Sequence, residues 1–345
     1  MNQPEYIGKA LSQERFGGVC LFSLTGAGET LIPREVVFIT KEILNQGHYV
    51  NITTNGTLSK RFDEIVSFPK PFLERLHICF SFHYLELVRT SQVQEFFDNI
   101  NKIREAGCSF FVKINLCDEY LPYLDEIKNL CVEKIGALPQ VAVTRDQSGG
   151  YISLRTHLPT DEYIRIGRSF NSPLFDFEMK TFLSKRREFC YAGDWPFKLY
   201  LHTGILRSCY DSYSTQDIFK DPNKPIKFQA VGNNCNSTYC VNSAHFMALG
   251  VIPEIYSPSY AELRDRPDAK WYTPKMRAFL DSRLWEENRE YNQSRKLLAN
   301  ASEFFRTVTR RFSHYDFFDY PPPAHIRRRL PLRKLGNKFK KLLTR

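Results

Sequence analysis

Five short apolar runs, at residues 19–24, 49–54, 76–82, 110–116 and 140–144, constrain the fold of this 345-residue chain more than any other feature. Each is almost unbroken by polar residues, the pattern of a strand covered on both faces, as in a parallel sheet. Between the runs the period changes to that of a helix. Val36, Val37, Ile39, Ile43 and Leu44 share one face, closed by Gly47; Phe96, Phe97, Ile100 and Ile103 share another, closed by Gly107. Leu121, Leu124, Ile127, Leu130 and Cys131 make a third, closed by Gly136. Strand and helix repeated in this way predict right-handed βαβ units, hence an α/β fold built on an open parallel sheet or partial barrel. Ligands then meet the loops that follow the strands.

Outside this region the reading is coarser. Residues 6–15 predict one short helix, ending at Gly17-Gly18. The cluster Gln147-Ser-Gly-Gly150 reads as a turn and a domain boundary. Helices are expected at 161–169 and 175–187, and a hairpin at 198–210 with Gly204 in its turn. Residues 261–311 read as helical, with Met276, Phe279, Leu280, Leu284, Leu297 and Leu298 as buried positions. The expected domains are 1–150, 151–255, a helical region at 256–320 and a basic tail at 321–345.

Three consecutive strand ends carry polar groups. Gly26-Ala-Gly28-Glu29-Thr30 follows the first run, Thr53-Thr54-Asn55-Gly56-Thr57 the second, and Ser81-Phe-His83-Tyr84 the third. Small glycines after a strand let backbone approach a ligand, while carboxylate, hydroxyl, amide and imidazole groups can hold a polar small molecule. The competing explanation is local: residues 53–57 cap the helix starting near Ser59, and His83 is a surface residue.

Nine cysteines in a chain with no secretory pattern are expected to stay reduced. Cys20, Cys79, Cys108, Cys117 and Cys131 lie within or beside apolar runs and read as small core residues. Cys190, Cys209, Cys235 and Cys240 lie among polar and turn residues instead. Four thiolates can bind a tetrahedral zinc or a [4Fe-4S] cluster, and the alternative is four reduced thiols without metal.

The formal charge of +10 is concentrated in the tail, where nine Lys or Arg and no acid follow Pro321, leaving the first 320 residues near +1. No nucleic-acid partner is therefore expected for the folded body. Leu335, Phe339, Leu342 and Leu343 with intervening lysines form a basic amphipathic pattern that suits an anionic membrane surface, or else a solvated tail. No apolar run is long enough to span a bilayer, and a cytoplasmic protein is the default expectation.

On these residues the chain resembles the radical SAM superfamily, in particular members with a C-terminal twitch or SPASM-like auxiliary-cluster region. The segment Gly26 to Pro33 looks like the family's glycine-glutamate motif, which implies that Gly26, Gly28, Glu29 and Thr30 meet the methionine end of S-adenosylmethionine. Thr54, Asn55, Ser81 and His83 would complete the cofactor site. Cys190, Gly204 and Cys209 fit the auxiliary hairpin pattern, with Cys235 and Cys240 completing an auxiliary [4Fe-4S] site. The implied fold is a partial (β/α)6 barrel lacking its first strand, followed by an α+β auxiliary domain and a helical region. The implied activity is radical modification of a peptide, protein or carbohydrate. The sequence departs from the family in one respect: no C-x3-C-x2-C loop, the ligand set of the cofactor-cleaving cluster, occurs in it. Two alternatives therefore stand beside the enzyme: a non-catalytic scaffold and a zinc-stabilised binding protein.

Overall fold

The structure is a computed structural model that describes residues 3–146, 152–182, 184–210, 214–235, 237, 239–240 and 242–312, with side chains to 305 in the last helix. The expected boundary at 147–150 and the basic tail at 321–345 lie outside the described residues.

The chain opens with two helices, α1 (Pro4–Ala10) and α2 (Gln13–Phe16), where the sequence predicts one. The break is tertiary. Leu11 is fully buried and its carbonyl accepts from His48 Nε2 at 2.7 Å, while Cys20 N–H donates to Nδ1 of the same ring at 3.0 Å. One buried histidine thus ties the end of α1 to the start of the first strand.

The five apolar runs form the strands β1 (Leu21–Leu24), β2 (Tyr49–Thr54), β3 (Leu76–Ser81), β4 (Ser109–Leu116) and β5 (Gln140–Val143). They pair in parallel in sequence order, β1-β2-β3-β4-β5. An unreversed order with crossovers of one hand stacks the connecting helices on a single face. Those crossovers are α3 (Glu35–Asn45), α4 (Ser59–Val66) with α5 (Lys70–Leu73), α6 (Tyr84–Arg89) with α7 (Val93–Glu105), and α8 (Leu124–Ile135). Gly47, Gly107 and Gly136 follow the three longest of these helices at positive φ.

The sheet's two faces differ. Leu24, Val50, Ile52, Ile78, Phe80, Phe110, Val112 and Ile114 lie on the helix side, where Phe80 meets Phe62 of α4 and Phe96 of α7. The alternate residues Ser23, Asn51, Thr53, His77, Cys79, Ser109, Phe111, Lys113, Gln140 and Ala142 form the other face. In register, Ser23, Asn51, His77 and Ser109 are successive partners across four strands. Asn51 donates to Ser23 Oγ at 2.8 Å and accepts from His77 Nδ1 at 2.8 Å.

This polar face is covered by the rest of the chain. After α9 (Thr160–Arg168), α10 (Pro173–Thr181) lies against β5; its cap Ser172 accepts from Phe175 N, and Val143 N donates to Glu178. The sequence extends this helix to 187, but Phe182 is extended at ψ 133° and its ring packs on Tyr239, a tertiary contact that ends the helix. Two short strands, β6 (Arg145–Asp146) and β7 (Ser153–Leu154), pair antiparallel. The expected hairpin forms as β8 (Lys198–Tyr200) and β9 (Ile205–Arg207), joined by a third strand β10 (Thr215–Asp217).

A π-helical turn at Ser243–Met247 and the residues up to Tyr272 complete the cover, with Trp271 packed on Phe110. The C-terminal region is less helical than its periodicity predicts: α11 (Pro274–Asp281), α12 (Leu284–Glu287) and α13 (Gln293–Phe312) are separate. Met276 and Leu280 are buried as expected, whereas Leu297 and Leu298 are exposed by 69% and 71%. The α13 helix turns Ala299 and Glu303 inward instead and docks through polar contacts, such as Asn300 with Asn233.

Candidate functional site

Glu29 is the centre of the strand-end cluster. Its Oε1 accepts from Leu31 N at 2.9 Å and from the Thr54 hydroxyl at 2.7 Å, and its Oε2 accepts from Asn55 N at 2.6 Å. The carboxylate therefore joins the loop after β1 to the end of β2. A carboxylate has about four acceptor directions, so one on Oε2 is left open.

The loop is shaped by its glycines and by Thr30. The buried Thr30 hydroxyl accepts from Gly26 N at 2.9 Å, closing a tight turn. A side chain on Gly26 would come within 3.2 Å of Gly28 O and 3.3 Å of Thr30 Cα, so the turn is tight at this position. Gly28 is different. Nothing lies within 4 Å of where its Cβ would be. Gly28 is exposed, and neither folding nor packing demands a glycine there.

At the end of β2, Asn55 Oδ1 accepts from both Thr57 N and Thr57 Oγ1, forming an Asx turn rather than a helix cap. Residues 53–57 therefore do not cap the helix, whose N-cap is Leu58 without a side-chain bond; the Thr54 hydroxyl accepts locally from Gly56 N at 3.1 Å and donates to Glu29. Gly56 sits at φ 78°, and a Cβ there would lie 2.6 Å from Phe96. Ser81 ends β3 beside Lys113 in register. His83 is exposed and close enough to sense its neighbours: desolvation of the ring and Lys113 lower its pKa, while Glu29 and Glu86 raise it, for a net lowering. Groups from the ends of three strands therefore share one electrostatic neighbourhood.

The four polar-segment cysteines lie within electrostatic reach of one another. Burial raises Cys190 well above the normal thiol range, and Cys209, Cys240 and Cys235 add to it in that order. Cys240 is pushed up to about 12 by burial first and Cys209 second. Against burial, the backbone N–H groups of Ala192 and Asn242 act to lower Cys190 and Cys240, and Asn242 Nδ2 donates to Cys209 Sγ at 3.9 Å. N–H donors aimed at clustered sulfurs suit thiolates bound to a cation, which relieves their mutual repulsion. The sulfurs do not form a closed shell: among the described residues no group of three or more His, Cys, Asp or Glu is set to hold a metal ion. The five other cysteines are ordinary thiols, with burial raising Cys20 and Cys108 to about 12 and also raising Cys79 and Cys131. Cys117 is only half buried and is raised to about 11, by burial first and Glu119 second.

A second polar centre, not among the expected sites, lies on the covered face of the sheet. Lys113, Glu178, His245, Tyr260 and Arg264 line it, brought together from β4, α10, the π-helical turn and the segment beyond. Asn51, Thr53 and Lys113 at alternate positions in apolar strands are the only signal that could have marked it.

No protein-family model matches the sequence, and no curated protein is similar to it. Among solved structures, Streptococcus suis SuiB superposes with a TM-score of 0.46 at 12% identity, over 64% of this chain. The chain spans 58% of the SuiB length. Native anSMEcpe with bound AdoMet and Kp18Cys peptide superposes with a TM-score of 0.37 at 14% identity, over 89% of this chain and 88% of that one. No helix among the described residues is long and apolar enough to cross a membrane.

Proposed function

We propose that this protein is radical SAM-like, holding S-adenosylmethionine at the carboxyl ends of β1, β2 and β3 and an auxiliary metal group on Cys190, Cys209, Cys235 and Cys240. The observation that carries the reading is Glu29. Its carboxylate is fixed by three hydrogen bonds across two strand ends and keeps one acceptor direction for the ammonium of a bound methionine moiety. Gly28 leaves room for a ligand to lie against the backbone, and Ser81 and His83 flank the same ends. Pre-fixing the carboxylate lowers the ordering cost of binding.

The four cysteines suit a [4Fe-4S] cluster or a zinc ion by donor chemistry. When bound, a cluster there supplies electron transfer or a ligand position for substrate. The chain's part is to hold the thiolates with N–H donors and to keep them from water. A peptide, protein or carbohydrate is the proposed substrate class, at the mouth formed by the strand ends.

Isothermal titration of the native protein with S-adenosylmethionine tests the cofactor site. Saturable binding that weakens about tenfold or more in Glu29→Gln is expected. No binding to the wild type overturns the reading. Iron, sulfide and zinc analysis after anaerobic purification tests the thiol site. Iron with sulfide supports the cluster, one equivalent of zinc replaces it by a structural metal, and retention of the same metal by Cys209→Ser and Cys240→Ser overturns the ligand set.

A further inference from the structure

We propose that the chamber on the covered face of the sheet is a binding site for a small oxyanion, a carboxylate or phosphate group, held by Lys113 and Arg264. The chamber is a cavity of about 30 Å³. It is separate from the Glu29 loop: Asn51, Thr53, Cys79, Phe111 and Ala142 of the sheet form its floor, and α10, His245, Tyr260 and Arg264 form its roof.

The argument is one of charge balance. Arg264 is only 2% exposed. Its Nη atoms donate to the carbonyls of Ala244 and Tyr260, its guanidinium centre lies 3.6 Å above the Tyr260 ring, and its Nε is a buried donor without a partner. Lys113 is half buried, and neither it nor Arg264 pairs with a carboxylate among the described residues. The one acid in the wall is Glu178, which already accepts from Val143 N and lies 3.9 Å from Arg145. The chamber wall thus holds two cations, Lys113 and Arg264, against one carboxylate, and burial raises the pKa of that carboxylate toward the neutral form. The two histidines nearby add no charge at neutral pH, since burial first and Arg264 second keep both His77 and His245 low.

Buried cations without counter-charge are costly, and proteins avoid them unless an anion enters. The Arg264 guanidinium is also unusually well fixed, stacked and anchored through two carbonyls, so it is pre-organised for an oxyanion at its free N–H. Lys113 of β4 adds an ammonium from the sheet side of the chamber.

The test uses the full chain and two probes, sodium acetate and sodium phosphate, each compared with sodium chloride at equal ionic strength. Titration calorimetry should find one saturable site for at least one probe, and the melting temperature should rise with that probe beyond the chloride control. Acetate binding alone assigns a carboxylate, and phosphate binding alone assigns a phosphate. Lys113→Met should weaken binding about tenfold or more and raise the melting temperature in anion-free buffer, because an uncompensated charge is gone. That rise also shows that the variant folds, and Arg264→Gln is the companion variant. Equal binding by wild type and Lys113→Met, or no effect beyond chloride, overturns the proposal. Displacement of the probe by S-adenosylmethionine also overturns it, since the site would then be the cofactor's own. Failure of S-adenosylmethionine to bind leaves the chamber's test intact.

Discussion

The two faces of the sheet obey different rules. Toward the helices, Ile52, Ile78, Phe80, Phe110 and Val112 are fully buried among other apolar side chains, and each is replaceable by a residue of like volume. Toward α10 and residues 244–272, Asn51, His77 and Ser109 are as deeply buried but are joined by specific hydrogen bonds. The first face holds by area and shape. The second holds only while each partner is in place, because a buried polar group that loses its partner keeps its desolvation cost.

The largest effect is expected on the apolar face. Phe80→Ala should destabilise by about 3–5 kcal/mol through lost transfer energy and a cavity between Phe62, Phe96 and Phe110. Urea unfolding measures it, and a cost below about 1 kcal/mol would show that the helix layer is not the main core. On the polar face, Asn51→Leu keeps the branched shape of the side chain yet should cost about 1–3 kcal/mol, since it strands the Nδ1 donor of His77. A neutral result would erase the contrast between the faces.

Acid should also separate them. His77 is held down to about 3, by burial first and Arg264 second, and His245 lies well below its normal value for the same two leading reasons. Both folded-state values lie below the unfolded value of about 6.5, so the unfolded chain binds more protons below that pH. Stability is therefore full above about pH 6.5 and falls as pH drops toward 3, by up to about 1.4 kcal/mol per pH unit per histidine. Unfolding free energies at pH 7, 6 and 5 test this, and His77→Phe should flatten the slope. The smallest effect is at the rim, where Ser23 is exposed and its Oγ accepts from Asn51 Nδ2 as the last group of the ladder. Ser23→Ala should cost under about 1 kcal/mol, because water can take its place.

The sheet was legible because strand and helix periods depend on neighbours a few residues apart. All five runs became strands within two residues of their expected ends, and Glu29, Thr54 and Asn55 meet as the strand-end pattern requires. The limits of α1 and α10 were not legible, since a buried histidine 37 residues away ends the one and the Tyr239 ring ends the other. Leu297 and Leu298 are exposed for a similar reason: helical periodicity marks an apolar face but not which face docks, and α13 docks through Ala299, Glu303 and the Asn300–Asn233 bond. By itself, then, the sequence determined a parallel α/β sheet with polar groups at its strand ends, because those follow from local alternation and chain order. Only the tertiary structure decided that Lys113, Glu178 and Arg264, scattered over some 150 residues, share one buried chamber. Charge balance is a property of neighbours in space, and no local pattern encodes it.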